Sequence, residues 1–278
     1  MSPTAFSICT RLQQCYSRSE ALAMTRIICC EILQQSTVDY YVGKDIILSA
    51  KEEEELESIL LRLLQFEPIQ YVQGKARFWG RTFKVAPGVL IPRPETEELV
   101  EVMLRDIPFD AHILDIGTGS GCIAVTLSKE RPQAEVVAWD VSDKAILLAR
   151  ENNALLGAKV SFEQCDVLQV APTDEACFDV IISNPPYVLD KERADMEPNV
   201  LDWEPELALF VPDDDPLLFY RRIAQLGLTL LKSTGKLYFE INRAYGAQTA
   251  DMLLSLGYAS ARVLKDISGN DRIVRAER

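Results

Sequence analysis

Apolar residues recur along this chain at two periods, and the period changes near residue 70. Before that point the spacing is helical. Leu56, Ile59, Leu60, Leu63 and Leu64 follow Ser49 and Glu52, whose Ser-x-x-Glu spacing forms a capping box, and acids occupy the opposite face. An earlier segment with Leu22, Ile27, Ile28, Ile32 and Leu33 predicts another helix, capped by Ser19. Together these segments predict a small all-α domain over 1–70. From Pro68 to Pro94 the texture turns to Gly, Pro and alternating apolar residues, including Phe78-Trp79-Gly80 and Phe83-Lys84-Val85, which predicts a hairpin linker over 71–94. A helix capped by Thr96, burying Leu99, Val100 and Met103, then opens a domain over 95–278.

After Ala111 strands and helices alternate. Candidate strands are 112–116, 135–140, 159–163, 178–183, 236–241, 259–265 and 271–276. The runs Ala111 to Ile116 and Phe178 to Ser183 are continuous and rich in β-branched residues, as in parallel strands covered on both faces. Short connections and regular alternation predict an α/β fold, a seven-stranded and mostly parallel sheet with helices on both sides. Residues 266–270 are too few for a crossover, so the last two strands are expected to pair as an antiparallel hairpin.

Composition narrows the partners. With 278 residues, 48% of them hydrophobic and 26% charged, the chain has the length and composition of a two-domain globular protein. Its formal net charge of −13 and lack of a basic patch argue against direct binding of nucleic acid, which is driven by neutralising phosphates. The acids Glu52 to Glu55 read as a solvated first helical turn or, alternatively, a contact for a basic partner. No apolar run reaches about 18 residues, and Met1-Ser2-Pro3-Thr4 lacks the texture of a signal peptide, so a cytoplasmic protein without membrane contact is expected. Seven cysteines without zinc-type spacing suggest reduced thiols. With His112 the only histidine, neither a His-based triad nor a metal site is expected.

Two motifs sit at carboxyl ends of candidate strands, where ligands gather in open α/β sheets. In Asp115-Ile116-Gly117-Thr118-Gly119-Ser120-Gly121, glycine at every second position lets the backbone approach a ligand before a helix starts near Cys122. Asp140 ends the next strand, about 20 residues on, where a carboxylate can accept both hydroxyls of a ribose. Asp166, beyond the third strand, could face an adenine amino group. These residues predict a nucleoside-containing cofactor. The second motif is Asn184-Pro185-Pro186-Tyr187. An amide or aromatic amino nitrogen attacks poorly unless acceptors hold its hydrogens and free its lone pair. The Asn184 side-chain oxygen and the Pro185 carbonyl can each take one N–H, the prolines stiffen the loop, and Tyr187 offers a flat face to a planar group. Arg93 and Glu95, flanking Pro94, are candidates for the crevice rim.

Taken together, Asp-x-Gly-x-Gly-x-Gly, Asp140 and Asn-Pro-Pro-Tyr resemble S-adenosylmethionine-dependent amino-methyltransferases. Phe78-Trp79-Gly80-Arg81-x-Phe83, Leu90-Ile91-Pro92-Arg93-Pro94-Glu95-Thr96-Glu97, Glu204-Pro205 before Ala208-Leu209, and Asp266-x-x-Gly269-x-Asp271-Arg272 narrow the resemblance to the PrmC/HemK family. Members of that family methylate the glutamine side-chain amide in the Gly-Gly-Gln motif of peptide chain release factors. The resemblance implies a Rossmann-like class I methyltransferase sheet with a small helical domain that assists substrate docking. It also implies that Gly117, Thr118, Gly119, Ser120, Gly121 and Asp140 contact S-adenosylmethionine, with Asp166 and Val167 at the adenine. Asn184 would touch cofactor and substrate, and Asn184, Pro185, Pro186 and Tyr187 would clasp the glutamine amide, with Asn184, Pro185 and Tyr187 the catalytic set. A monomer is expected. The chain departs from the family pattern at Phe210 to Pro216, at Asn242 in place of a glycine, and at Val167 in place of an aromatic. Two other readings stay open: an adenine amino-methyltransferase acting on nucleic acid, disfavoured by the charge, and a cofactor-binding adaptor without catalysis, disfavoured by the intact motifs.

Overall fold

The computed structural model describes residues 1–171 and 176–278. The chain divides into two units, Met1–Gly74 with Glu197–Trp203, and Lys75–Met196 with Glu204–Arg278.

Serines punctuate the first unit. Ser2, Ser17, Ser36 and Ser49 each accept a backbone N–H from the first turn of the helix they precede, at Pro3–Leu12, Arg18–Ile27, Thr37–Tyr41 and Ala50–Leu63. The cap of the second helix is thus Ser17 rather than Ser19, because Glu20 stands three residues beyond Ser17 and completes a capping box with it. That helix runs on into a π-helical turn at Ile28–Ile32. Ile8, Leu12, Met24, Ile28, Leu60 and Leu63 meet in the core of the unit. Residues 51–55 are exposed, so the acidic run is a solvated first turn.

In the second unit the strands are β1 (Lys75–Phe78), β2 (Arg81–Lys84), β3 (His112–Ile116), β4 (Glu135–Asp140), β5 (Val160–Gln164), β6 (Phe178–Ser183), β7 (Val188–Leu189), β8 (Phe210–Val211), β9 (Leu231–Glu240), β10 (Ser260–Lys265) and β11 (Asp271–Glu277). Seven of them form one sheet in the order β10-β11-β9-β6-β3-β4-β5. Pairing is parallel from β9 through β5, whereas β11 runs antiparallel to both β9 and β10. Successive residues of the central strands face opposite ways. Ile113, Ile182 and Tyr238 pack among Leu99, Met103, Ile123 and Ile146 from one layer of helices. Leu114, Ile181 and Leu237 pack among Tyr220, Ile223, Leu226 and Leu253 from the other. This two-sided burial explains why the central strands read as unbroken apolar runs. Strand β9 begins earlier than its apolar pattern suggests, at Leu231, and its register against β6 shifts between Phe178 and Val180.

Hairpin β1–β2 delivers Phe78 and Phe83 into the core, edge to face at 6.1 Å. Its turn places Trp79 and Gly80 at φ of 51° and 67°, and the Trp79 N–H donates to Glu97. Asn152 grips the far end, accepting from Lys84 N and donating to Lys84 O. The next helix, Pro94–Leu104, starts two residues before Thr96, so Arg93 is its N-cap and Thr96 lies inside, buried. Proline at the first helical position accounts for the earlier start. In the departing segment after Leu209, β8 pairs with β7, Asp213 accepts from Lys191 N, and Asp215 holds Arg221 in two hydrogen bonds.

Candidate functional site

The strand order reverses at β3. From it the chain winds outward to β4 and β5 on one side, and β6 flanks it on the other, so the loops after β3 and β6 face a common crevice. Ser183, the last residue of β6, donates its hydroxyl to Ile116 O at 2.6 Å and ties the two loop bases together. A cavity opens above them. Gly117, Thr118, Gly119, Ser120, Asp140, Asp166, Val167, Asn184, Pro185 and Pro186 all line it.

The three glycines of the first loop differ in what they do. All have positive φ, at 77°, 55° and 80°. A Cβ on Gly119 would meet nothing within 4 Å, and one on Gly117 would come only to 3.9 Å from Asn184 O, so both leave open space on the cavity side. At Gly121 a Cβ would stand 3.0 Å from the Ala149 Cβ; this glycine lets two helices approach and does not line the cavity. The Asp140 carboxylate bridges the cavity wall: Oδ2 accepts from Gly119 N at 2.8 Å and Oδ1 from Ser142 N at 2.9 Å. Burial raises its pKa against those backbone donors. Each oxygen retains a lone pair. Beneath the loop, Asp115 accepts from the Thr118 hydroxyl at 2.7 Å, and its other oxygen is buried with no hydrogen-bond partner within 3.5 Å among the described residues. Burial pushes its pKa up to about 7. Asp166 turns back on its own loop, accepting from Leu168 N and Gln169 Nε2.

On the β6 side of the cavity, the Asn184 amide nitrogen donates to the Thr96 hydroxyl at 3.2 Å. That hydroxyl donates to Glu240 Oε2 at 2.7 Å, and Tyr187 OH donates to Glu240 Oε1 at 3.1 Å. Tyr187 is therefore turned toward the end of β9 and is not among the cavity-lining residues. Burial raises the pKa of the Tyr187 phenol, helped by the Glu240 charge. Glu240 is itself fully buried and its pKa is raised for the same reason, against the Thr96 and Tyr187 hydroxyls and Arg272. The Asn242 side chain donates to Tyr187 O at 3.1 Å and to Glu192, so the residue that departs from the family pattern fastens this loop. Arg93 lines the cavity and is ion-paired with the buried Glu204, which also accepts from Ile91 N, whereas Glu95 faces a separate groove. Thr96 and Glu240 were not legible as site residues: Thr96 reads as a helix cap, and Glu240 as the end of an apolar strand.

A cradle of Cβ-free backbone, a carboxylate with free lone pairs and an apolar wall including Val89, Ile91 and Ile123 suit a ligand that contains a nucleoside. Comparison with known proteins agrees. The Methyltransferase small domain model matches residues 94–201 and the PrmC N-terminal domain model residues 7–74. A release factor glutamine methyltransferase of Bacteroides thetaiotaomicron is 55% identical over 267 residues, covering 96% of each chain. One of Flavobacterium psychrophilum is 43% identical over 247 residues, covering 87% of this chain and 86% of its own. A methyltransferase structure from Pyrococcus furiosus shares the fold, with a TM-score of 0.55 at 18% identity over 80% of this chain and 98% of that one. With the helical unit, the glycine cradle and the Asn-Pro-Pro-Tyr loop in place, the chain belongs to the PrmC/HemK family of release factor glutamine methyltransferases.

Proposed function

We propose that this protein methylates the side-chain amide nitrogen of the glutamine in the Gly-Gly-Gln motif of peptide chain release factors, with S-adenosylmethionine as cofactor. The observation that carries the reading is the near full-length match to release factor glutamine methyltransferases, supported by the Asn184 side-chain amide lining the same cavity as the glycine loop and Asp140. When bound, S-adenosylmethionine supplies an electrophilic methyl group on a sulfonium. Gly117 and Gly119 would allow close backbone approach to it, Asp140 would accept from its ribose hydroxyls, and Val167 and Asp166, whose carboxylate oxygens already accept from Leu168 N and Gln169 Nε2, would lie at its adenine.

The chain's task is to make a poor nucleophile attack. A glutamine amide nitrogen shares its lone pair with its carbonyl. Asn184 Oδ1 and the Pro185 carbonyl accept its two hydrogens, which orients the nitrogen and favours the positive charge that develops as the N–C bond forms. The N–C bond forms at the expense of the methyl–sulfur bond, whose electron pair stays on the sulfur as a neutral thioether, and one of the two amide hydrogens leaves as a proton to water. Pro185 and Pro186 hold both acceptors in a loop with few alternative shapes, so much of the acceleration is positional. Tyr187 holds the loop to β9 through Glu240. A net charge of −13 suits a protein substrate better than a nucleic acid.

The test is to incubate the protein with a release factor and S-adenosylmethionine, then sequence the peptides by mass spectrometry. One added methyl on the Gly-Gly-Gln glutamine is expected. An unmodified glutamine, or methylation of nucleic acid in its place, would overturn the reading.

A further inference from the structure

A planar side-chain amide can be placed either way round, and only one way serves the proposed reaction. If the Asn184 oxygen faces the cavity it accepts a substrate N–H; if the nitrogen faces it, two donors confront each other. The contact with Thr96 alone does not choose, because a hydroxyl can both donate and accept. What lies behind Thr96 decides.

We infer that Glu240 is a positioning residue that sets which end of the Asn184 amide faces the cavity, acting through the Thr96 hydroxyl. An ionised carboxylate only accepts. Oε2 takes the single hydrogen of the Thr96 hydroxyl at 2.7 Å, and Oε1 takes that of Tyr187 at 3.1 Å. Neither hydroxyl then has a hydrogen to give. Thr96 can only accept from Asn184, which turns Nδ2 toward Thr96 at 3.2 Å and leaves Oδ1 on the opposite arm of the amide. Asn184 lines the cavity, so that arm is the one available to substrate. The same carboxylate anchors Tyr187 three residues along, so one buried group fixes both the direction of the acceptor and the position of the loop that carries it. Thr96 is 3% exposed and Glu240 1%, so water does not compete for these bonds. Burial and Glu95, from the helix of Thr96, favour the neutral form of Glu240; the Thr96 and Tyr187 hydroxyls, one on each oxygen, and Arg272, from β11, hold it as the acceptor.

The inference rests on Asn184 being the acceptor for the substrate amide, and the experiment separates the two. In the folded, uniformly labelled protein without substrate, the Asn184 side-chain NH2 signal is identified by its loss in Asn184→Ala. It should show a nuclear Overhauser contact to the Thr96 methyl group. Glu240→Met keeps the length and removes both acceptor oxygens, freeing the Thr96 hydrogen. In that variant the contact should weaken as the flipped amide appears, and kcat on the release factor should fall by up to ~10²-fold, the scale of a misplaced reacting group, with cofactor affinity kept. Thr96→Val should lose kcat similarly, and Thr96→Ser, which restores the hydroxyl, should recover it. Absence of the contact in the native protein would overturn the inference, and so would Thr96→Val retaining native kcat or Thr96→Ser losing as much as Thr96→Val. If the native protein shows the contact and methylates no release factor, the functional reading fails while the orientation stands. The contact itself is read in the native protein, and Asn184→Ala serves only to assign its signal.

Discussion

Gly119 N donates to Asp140 Oδ2 at 2.8 Å, so the glycine loop and the end of β4 are clamped before any ligand arrives. The same carboxylate that would accept ribose hydroxyls also holds the loop that would receive the rest of the cofactor. Asp140→Ala should therefore weaken S-adenosylmethionine binding by roughly 1.5–3 kcal/mol, the range for hydrogen bonds to a charged group. Titration calorimetry reads this directly, and unchanged affinity would remove Asp140 from the binding site.

Asn184→Ala should reduce turnover by at least ~10²-fold, the scale for removing one preorganised hydrogen-bonding group, and leave the melting temperature close to native. Asn184→Asp separates acceptance from charge, because a carboxylate accepts at both ends. Single-turnover rates measure both variants. Full activity in the alanine variant would sink the assignment of this loop as the amide clasp.

Stability should carry a pH signature from Asp115. Its folded pKa of about 7 exceeds the ordinary 3.8 because the group is buried. Between those values the folded state keeps a proton that the unfolded chain gives up. The contribution is therefore fully present below about pH 4 and is lost as pH rises toward 7, by at most about 1.4 kcal/mol per unit. Asp179 and Asp215 have lowered pKa values, so their opposite effects lie at lower pH. Asp115→Asn keeps an acceptor for Thr118 and should reduce the slope of melting temperature against pH over that window, leaving the part due to Asp140 and Glu240, whose pKa values burial also raises. A slope identical to that of the native protein would refute the assignment.

Gly121→Ala should destabilise the fold by about 1–3 kcal/mol, because the new methyl meets Ala149 at 3.0 Å in a backbone conformation of φ 80°. Denaturant midpoints report it. A loss confined to cofactor affinity would mean that Gly121 belongs to the ligand cradle after all.

A fragment beginning at Lys75 should fold and bind cofactor, since it retains Phe78 and Phe83 in the core, yet methylate an intact release factor poorly. A start near residue 80 would cut β1 away from β2. Turnover of the fragment at the full-length rate would exclude a docking role for the helical unit.

Much of this architecture is legible in the residues. The β3, β4 and β6 runs announce themselves because strands buried on both faces have no polar alternation to blur them. Asp140 and Asn184 are legible because each stands where such a run stops. What escaped depends on contacts between segments far apart in the chain. Thr96 and Glu240 are 144 residues apart and meet only once β9 has packed beside the helix of Thr96. Gly121 belongs to an alternating glycine pattern, and nothing local separates it from Gly119; the difference is Ala149, on another helix. Tyr187 looked like a substrate platform because its hydroxyl's partner lies on β9.

The place of β11 in the sheet has a consequence for the nascent chain. Strand β9 carries Glu240 at its end, and its outer edge is paired by β11, where Ile273 stands opposite Glu240 and Arg272 O accepts from Ile241 N. During synthesis β9 leaves the ribosome before this cover exists, and until residues 271–277 follow, its edge is open and the wall behind Thr96 is unbraced. The glycine cradle and the Asn-Pro-Pro-Tyr loop are translated long before that moment. A polypeptide stalled just short of β11 would hold both motifs and lack the brace that makes them work together.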